Sequence, residues 1–273
     1  MFKTEFFSDV CDAINPARSQ SFGRRLYCVD NGRKKTWVKQ QLAHVNIEYE
    51  RGFFNELEIY TRLNHLKSSD RSILGHFSIV DIPTQRQKSD LNHVEWYLGQ
   101  ALCVEHAEAL FAKSALLLSQ RDVWSVLEES LNVLNHLHQL QFIHGDLKAE
   151  HFRFTDSGAI LIDFEQSGHI DEVSHFPNTA TPRYMAPELF HGQLKSYASD
   201  IYALGIVWLE WLTGRKLSAN SYYDWAVLHC QQLQVDLCVE HPSILSLLQK
   251  MLAKQKIDRF QTISEIQQAL MMR

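Results

Sequence analysis

The stretch FIHGDLKAEHFRF, residues 142–154, sets ionisable side chains in a close rhythm: His144, Asp146 two residues on, Lys148 two further, then His151. Carboxylate, imidazole and ammonium groups so arranged look like a site that handles protons and stabilises charge. Asp163 follows at the end of the apolar run AILIDF, and its carboxylate oxygen would suit a hard cation. Far upstream, Lys39 lies in KTWVKQQ and Glu56 in RGFFNELEIY, an ammonium and a carboxylate that could pair. Glu58 competes as the partner of Lys39. Glu56 fits better, because Phe53 before it and Ile59 after it put it on a buried flank. A single Lys on a strand or Glu on a helix is ordinarily a solvated face, so the weight rests on the order of all these groups along the chain.

Elements must hold them. RRLYCVD and KTWVKQQ read as strands, with Asn31-Gly32 between them as a hairpin signal. YERGFFNELEIYTRLNHL has Phe53, Leu57, Tyr60 and Leu63 at helical spacing. SILGHFSIVDIP and HVEWYLGQALCVE read as two more strands around a polar turn, TQRQKSDLN. The texture changes near residue 104. VWSVLEESLNVLNHLHQLQ carries Leu127, Leu131, Leu134 and Leu137 on one helical face, and HFRF and AILIDF flank a Ser157-Gly158 turn. SDIYALGIVWLEWLTG, SYYDWAVLHCQQL, SILSLLQKMLAKQ and TISEIQQALM are all helical in pattern. A strand-rich front and a helical back imply a bilobal α+β chain, with residues 1–103 as the smaller lobe and 104–273 as the larger.

The bulk composition agrees. The 273 residues are 45% hydrophobic, enough for one large domain or two lobes. A net charge of −5 argues against a general nucleic-acid binder. The 5 cysteines are scattered, without a C-x-x-C pair, which suits reduced cytosolic thiols rather than disulfides or zinc. The opening segment lacks the long apolar core of a secretory signal, and IYALGIVWLEWLTG is too short, and broken by Glu210, to span a bilayer. The expectation is a soluble, cytoplasmic protein with no membrane span. Most of the 14 histidines are dispersed and carry no metal signal.

The order VK (38–39), E (56), HGDLKAEH (144–151), DFE (163–165), APE (186–188), SDIYALG (199–205) and DRF (258–260) resembles the signature set of the eukaryotic-like (Hanks-type) protein Ser/Thr kinases, here a small, atypical bacterial member. The resemblance spans nearly the whole chain. It implies a protein-kinase-like fold, ATP with Mg2+ (or Mn2+), and a protein substrate. By it, Lys39 would hold the α- and β-phosphates and Glu56 would fix Lys39. Asp146 would accept or orient the proton of the attacking hydroxyl, Lys148 would contact the γ-phosphate, and Asp163 would bind the metal. His144 would prop the loop, Asp200 would anchor its backbone, Glu188 would pair with Arg259, and Thr181 would lie near Asp146. Adenine contacts would come from Gln100 to Val104.

Four positions depart from that pattern. The phosphate-covering loop, aligned on Phe22-Gly23, offers Arg18, Gln20 and Gly23 where three glycines belong. Arg18 would supply positive charge instead. Gly145 replaces an Arg that in the family grips a phosphorylated activation loop, which implies indifference to phosphorylation at Ser174 or Thr179. Glu165 replaces a glycine. His151 stands where a second metal-binding Asn belongs, and would either reach metal or only hydrogen-bond Asp146. His-Gly-Asp also resembles aminoglycoside-phosphotransferase-like kinases, and the His at 151 resembles lipopolysaccharide-core kinases. The alternatives to a protein kinase are therefore a pseudokinase acting as a binding scaffold and a kinase of a sugar or other small molecule.

Overall fold

The computed structural model describes residues 20–66, 73–87, 94–175, 179–235 and 242–271. The chain divides into two compact units, residues 1–65 with 74–107, and residues 66–73 with 108–273. Arg18, expected to bind phosphate, lies outside the described residues. So do Cys11 and Cys238.

The first unit is a sheet and one helix. Strands β1 (Arg24–Asp30) and β2 (Lys35–Leu42) form an antiparallel hairpin, with Arg24 opposite Gln41 and Asp30 opposite Lys35. Its turn is closed by side chains: Asn31 Oδ1 accepts from the amides of Arg33 and Lys34 at 3.0 and 2.8 Å. This is the Asx chemistry that suits Asn to turns. Strands β3 (Phe77–Asp81), β4 (Gln85–Gln87) and β5 (Val94–Glu105) complete a sheet of order β1-β2-β5-β3, with β4 on the first part of β5. The polar turn TQRQKSDLN thus holds a short strand that its composition concealed; pairing with Trp96 and Val94 outweighs the poor strand propensity of Gln. Helix α1 (Ile47–His65) buries Phe53, Glu56, Leu57, Ile59, Tyr60 and Leu63. Asn46 caps it, its Oδ1 accepting from the amide of Glu48 at 3.0 Å. Tyr27, Val38, Ala101 and Cys103 form a core cluster, with Val29, Val80 and Ile82 packed against it.

The second unit is mainly helical. Helix α2 (Gln120–Gln139) starts at Ser119, whose hydroxyl accepts from the amide of Asp122 at 3.2 Å. Leu127, Leu131, Leu134 and Leu137 are fully buried, each worth roughly 1.5–3 kcal/mol of transfer free energy. Short strands flank it: β6 (Glu108–Ala109) pairs β8 (Phe152–Thr155), β8 pairs β9 (Gly158–Leu161), and β7 (Phe142–Ile143) pairs β10 (Gly168–His169). The turn from β7 to β8 carries HGDLKAEH. Helix α3 (Pro187–Phe190) is a single turn, and α4 (Tyr197–Thr213) is buried along nearly its whole length. A helix apolar on all sides belongs at the centre of a unit. Trp208 on α4 donates its indole N–H to Ser130 Oγ of α2 at 3.0 Å.

Helices α5 (Tyr222–Val227), α6 (Pro242–Met251) and α7 (Ile263–Met271) follow. The continuous helix expected over SYYDWAVLHCQQL changes to π geometry at Leu228–Gln232. The chain is therefore α+β, with a β-rich N-terminal unit and a helical C-terminal unit. Among the described residues, no helix is long and apolar enough to cross a membrane.

Candidate active site

In the first unit, β2 presents Lys39 and α1 presents Glu56. The Lys39 ammonium lies 2.7 Å from Glu56 Oε2, with the two side chains 12% and 2% exposed. Glu58 instead lies near Arg62, 3.6 Å away on the solvent side. The choice between the two carboxylates was legible because the apolar stripe at Phe53, Leu57 and Tyr60 turns position 56 inward. At this burial the pair is far less screened than a surface ion pair, so the reach of Lys39 is fixed.

The segment before β1 is a tight turn. The amide of Gly23 donates to the carbonyl of Gln20 at 3.0 Å, and Gly23 has φ +86°, with any Cβ there only 2.7 Å from Gln41 Nε2. Glycine at 23 is thus needed by the turn itself. Gln20 is exposed, and its carbonyl also accepts from the Arg25 guanidinium at 3.2 Å. Gln100 to Val104, the stretch expected near adenine, lies on β5. This stretch of β5 pairs β2 on one side and β3 on the other, so its backbone groups are engaged in two ladders.

In the second unit, HGDLKAEH is held from beneath. Asp200 of α4 accepts from the amides of His144 (2.8 Å, Oδ2) and Gly145 (2.9 Å, Oδ1), and its Oδ2 lies 3.0 Å from His138 Nε2. Burial opposes its charge, yet the His138 bond and the neighbouring imidazoles and amides hold the Asp200 carboxyl below its ordinary pKa. His144 is fully buried, its Nε2 3.1 Å from the carbonyl of Ile162. Burial, aided by the charge of His151, lowers its pKa to about 4, so it is neutral and cannot cycle protons near neutrality.

Asp146 is bound at both oxygens. Oδ1 accepts from the amide of Thr181 at 2.6 Å, and Oδ2 lies 3.2 Å from the Lys148 ammonium. Burial works against the charge of Lys148, but the carboxylates of Asp146 and Asp163 outweigh it and raise its pKa. Lys148 is a fixed cation. Asp163 adopts φ +67°, a left-handed geometry that Asp tolerates better than most residues, and its Oδ2 is 3.1 Å from His151 Nε2.

That contact corrects one expectation. His151 pairs with Asp163, whereas Asp146 takes Thr181 and Lys148. Asp163 offers the oxygen a hard cation prefers, and His151 Nε2 stands beside it. The donor chemistry fits a divalent metal on Asp163.

Two supports complete the unit. Arg259, 2% exposed, makes two bonds to Glu188, Nη1 to Oε1 at 2.8 Å and Nη2 to Oε2 at 2.6 Å. Ser199 Oγ donates to the same Oε1 at 2.9 Å. Burial raises the Glu188 pKa, but the Arg259 guanidinium outweighs it and the net shift is downward. His138, Ser199, Gln166 and Lys195 were not singled out by their sequence setting. His138 is one dispersed imidazole among 14, and Lys195 is one lysine in a polar stretch.

Residues 21–272 match the model of the protein kinase domain family. The chain is 38% identical over 194 residues to the serine/threonine-protein kinase RUNKEL of Arabidopsis thaliana, covering 59% of this chain and 14% of that one. It is 25% identical over 228 residues to the serine/threonine-protein kinase PrkC of Bacillus subtilis (strain 168), covering 79% of this chain and 34% of that one. It is 37% identical over 101 residues to the serine/threonine-protein kinase cst-1 of Caenorhabditis elegans, covering 36% of this chain and 20% of that one. The chain thus spans about a third or less of the length of these relatives. With a matched span from the turn before β1 to the end of α7, the chain belongs to the protein kinase domain family.

Proposed function

We propose that the chain transfers the γ-phosphoryl group of ATP to a Ser or Thr hydroxyl of a protein, its own chain included, in the cytoplasm. One observation carries this reading: Asp146 is held at one oxygen by the Thr181 amide and at the other by the Lys148 ammonium. A carboxylate so fixed can take an acceptor's proton while an adjacent cation meets the phosphate, which is the pairing of roles that phosphoryl transfer requires.

The acceptor oxygen attacks the γ-phosphorus, and its proton passes to Asp146. The bond from the γ-phosphorus to the β–γ bridging oxygen breaks, and ADP leaves with that electron pair. Lys148 compensates charge at the transferred group, and Lys39, braced by Glu56, contacts the α- and β-phosphates. Asp163, with His151 beside it, would hold the divalent metal, which would supply charge neutralisation at the phosphates. Gly23 and Gln20 form the turn over the phosphates, with Arg18 as a further cation.

Labelled ATP offered with Mg2+ or Mn2+ to generic proteins, to small sugars and to the chain itself tests this. The proposal expects label on Ser or Thr. Label only on sugars would favour small-molecule phosphorylation, and no transfer anywhere would favour a scaffold.

A further inference from the structure

Gly145 has φ +77°, and a Cβ there would stand 2.4 Å from the carbonyl oxygen of Gln166 and 3.1 Å from Lys195 Nζ. The space beside the catalytic-loop backbone is thus filled by an ammonium from the connection between α3 and α4. Lys195 is only 5% exposed, a rare state for lysine. Its Nζ donates to Gln166 Oε1 at 3.2 Å and approaches the Gln166 carbonyl at 3.4 Å. Lysine has no acceptor, so the side-chain oxygen of Gln166 must face it. The same Oε1 accepts from Thr179 Oγ1 at 3.0 Å.

Gln166 directly follows Asp163-Phe164-Glu165. Thr179 lies two residues before Thr181, whose amide holds Asp146. The next residue after Gln166 is tied as well, Ser167 Oγ donating to the carbonyl of His144 at 2.8 Å. The Gln166 side chain therefore joins the two ends of the segment that links Asp163 to Thr181, and the buried Lys195 ammonium fixes which way its amide faces. Asp146 and Asp200, which line the same small cavity, balance its charge. Burial pushes the Lys195 pKa down to about 8 and those carboxylates oppose the shift, so the side chain is mostly cationic near neutral pH.

We propose that Lys195 is a positioning residue, whose ammonium orients the Gln166 amide that accepts from Thr179 and so holds Asp163 and Asp146 in working geometry with no phosphate on the segment. The proposal rests on the phosphoryl-transfer reading for its link to rate, but its physical claim does not. A methionine of similar length would fill the same space without the cost of burying a charge, and such replacements are often neutral or stabilising. A lysine kept there for packing alone would therefore be dispensable.

Two measurements on the full chain decide it. In Lys195→Met, hydrogen exchange should accelerate locally at the amides of Gln166, Ser167 and Thr181, with the melting temperature unchanged or raised. The kcat should fall about tenfold or more with KM for ATP unchanged. Thr179→Val, at an exposed position, cuts the other end of the same tether and should reproduce the local exchange. The double variant should add little to either single change, because both act through Gln166 Oε1.

Wild-type exchange at these amides in both variants would overturn the proposal. So would faster exchange with kcat unchanged, or a lowered melting temperature with exchange accelerated throughout. A wild type that phosphorylates no acceptor would overturn the functional reading instead, and the exchange result would still decide whether Lys195 locks the segment.

Discussion

Asp163 sits at a positive φ that asparagine also tolerates, so Asp163→Asn removes charge without disturbing the backbone. We expect that variant to keep its melting temperature and lose transfer by about two orders of magnitude or more, read by steady-state rates. Lys39 behaves differently. Glu56 is 1% exposed, and Lys39→Ala would leave its carboxylate without the ammonium 2.7 Å away. The loss should be about 3–5 kcal/mol of stability as well as activity. Pairing Lys39→Met with Glu56→Gln should restore the melting temperature and not the transfer; recovered transfer would remove Lys39 from the site. His151 faces Asp163 through Nε2, so His151→Asn should barely change the ratio of Mn2+ to Mg2+ rates. A marked shift toward Mg2+ would show that the imidazole touches metal after all.

Elements hold these residues through a few buried polar ties, and those ties can be broken singly. Arg259→Ala leaves Glu188, 4% exposed, without its bidentate partner, and should cost about 3–5 kcal/mol in denaturant unfolding. An unchanged midpoint would show that the pair contributes nothing. Gly145→Arg restores the residue type usual in the family, yet the left-handed φ and the carbonyl of Gln166 oppose any side chain. It should destabilise the chain by at least about 1–2 kcal/mol, the cost of the backbone conformation alone. The hairpin β1–β2, helix α1 and helix α2 were legible because punctuation and period agree there. Asn31 closes a turn, and the leucines of α2 repeat on one face. Strand β4 and the π turn after α5 were not, since tertiary pairing overrides weak local preference. The Glu188–Arg259 pair was legible from motif order, whereas the Lys195 contacts depend on three distant segments meeting, which spacing does not encode.

Among the described residues, the buried imidazoles of His144 and His229 are held neutral and contribute to the acid response. Burial lowers His144 and His229 to about 4 from 6.5. Between those values the unfolded chain binds more protons than the folded one, so stability rises with pH through the window and is lost as pH falls from about 6.5 to 4. Melting temperature against pH should show this slope, and His229→Gln should flatten it; an identical slope would mean that His229 is not held neutral. The change from strand-like to helical pattern near residue 104 made the α+β chain legible, and motif order made the chemical groups legible. The turn before β1 and the pairing of His151 needed coordinates, because both depend on which partner a side chain finds. If Asp146 serves phosphoryl transfer to a protein hydroxyl, labelled ATP with divalent metal should leave label on Ser or Thr with the wild type, and Asp146→Asn should lower the rate by about 10²–10⁴. Equal labelling by both, or none by the wild type with any acceptor, would show that it does not.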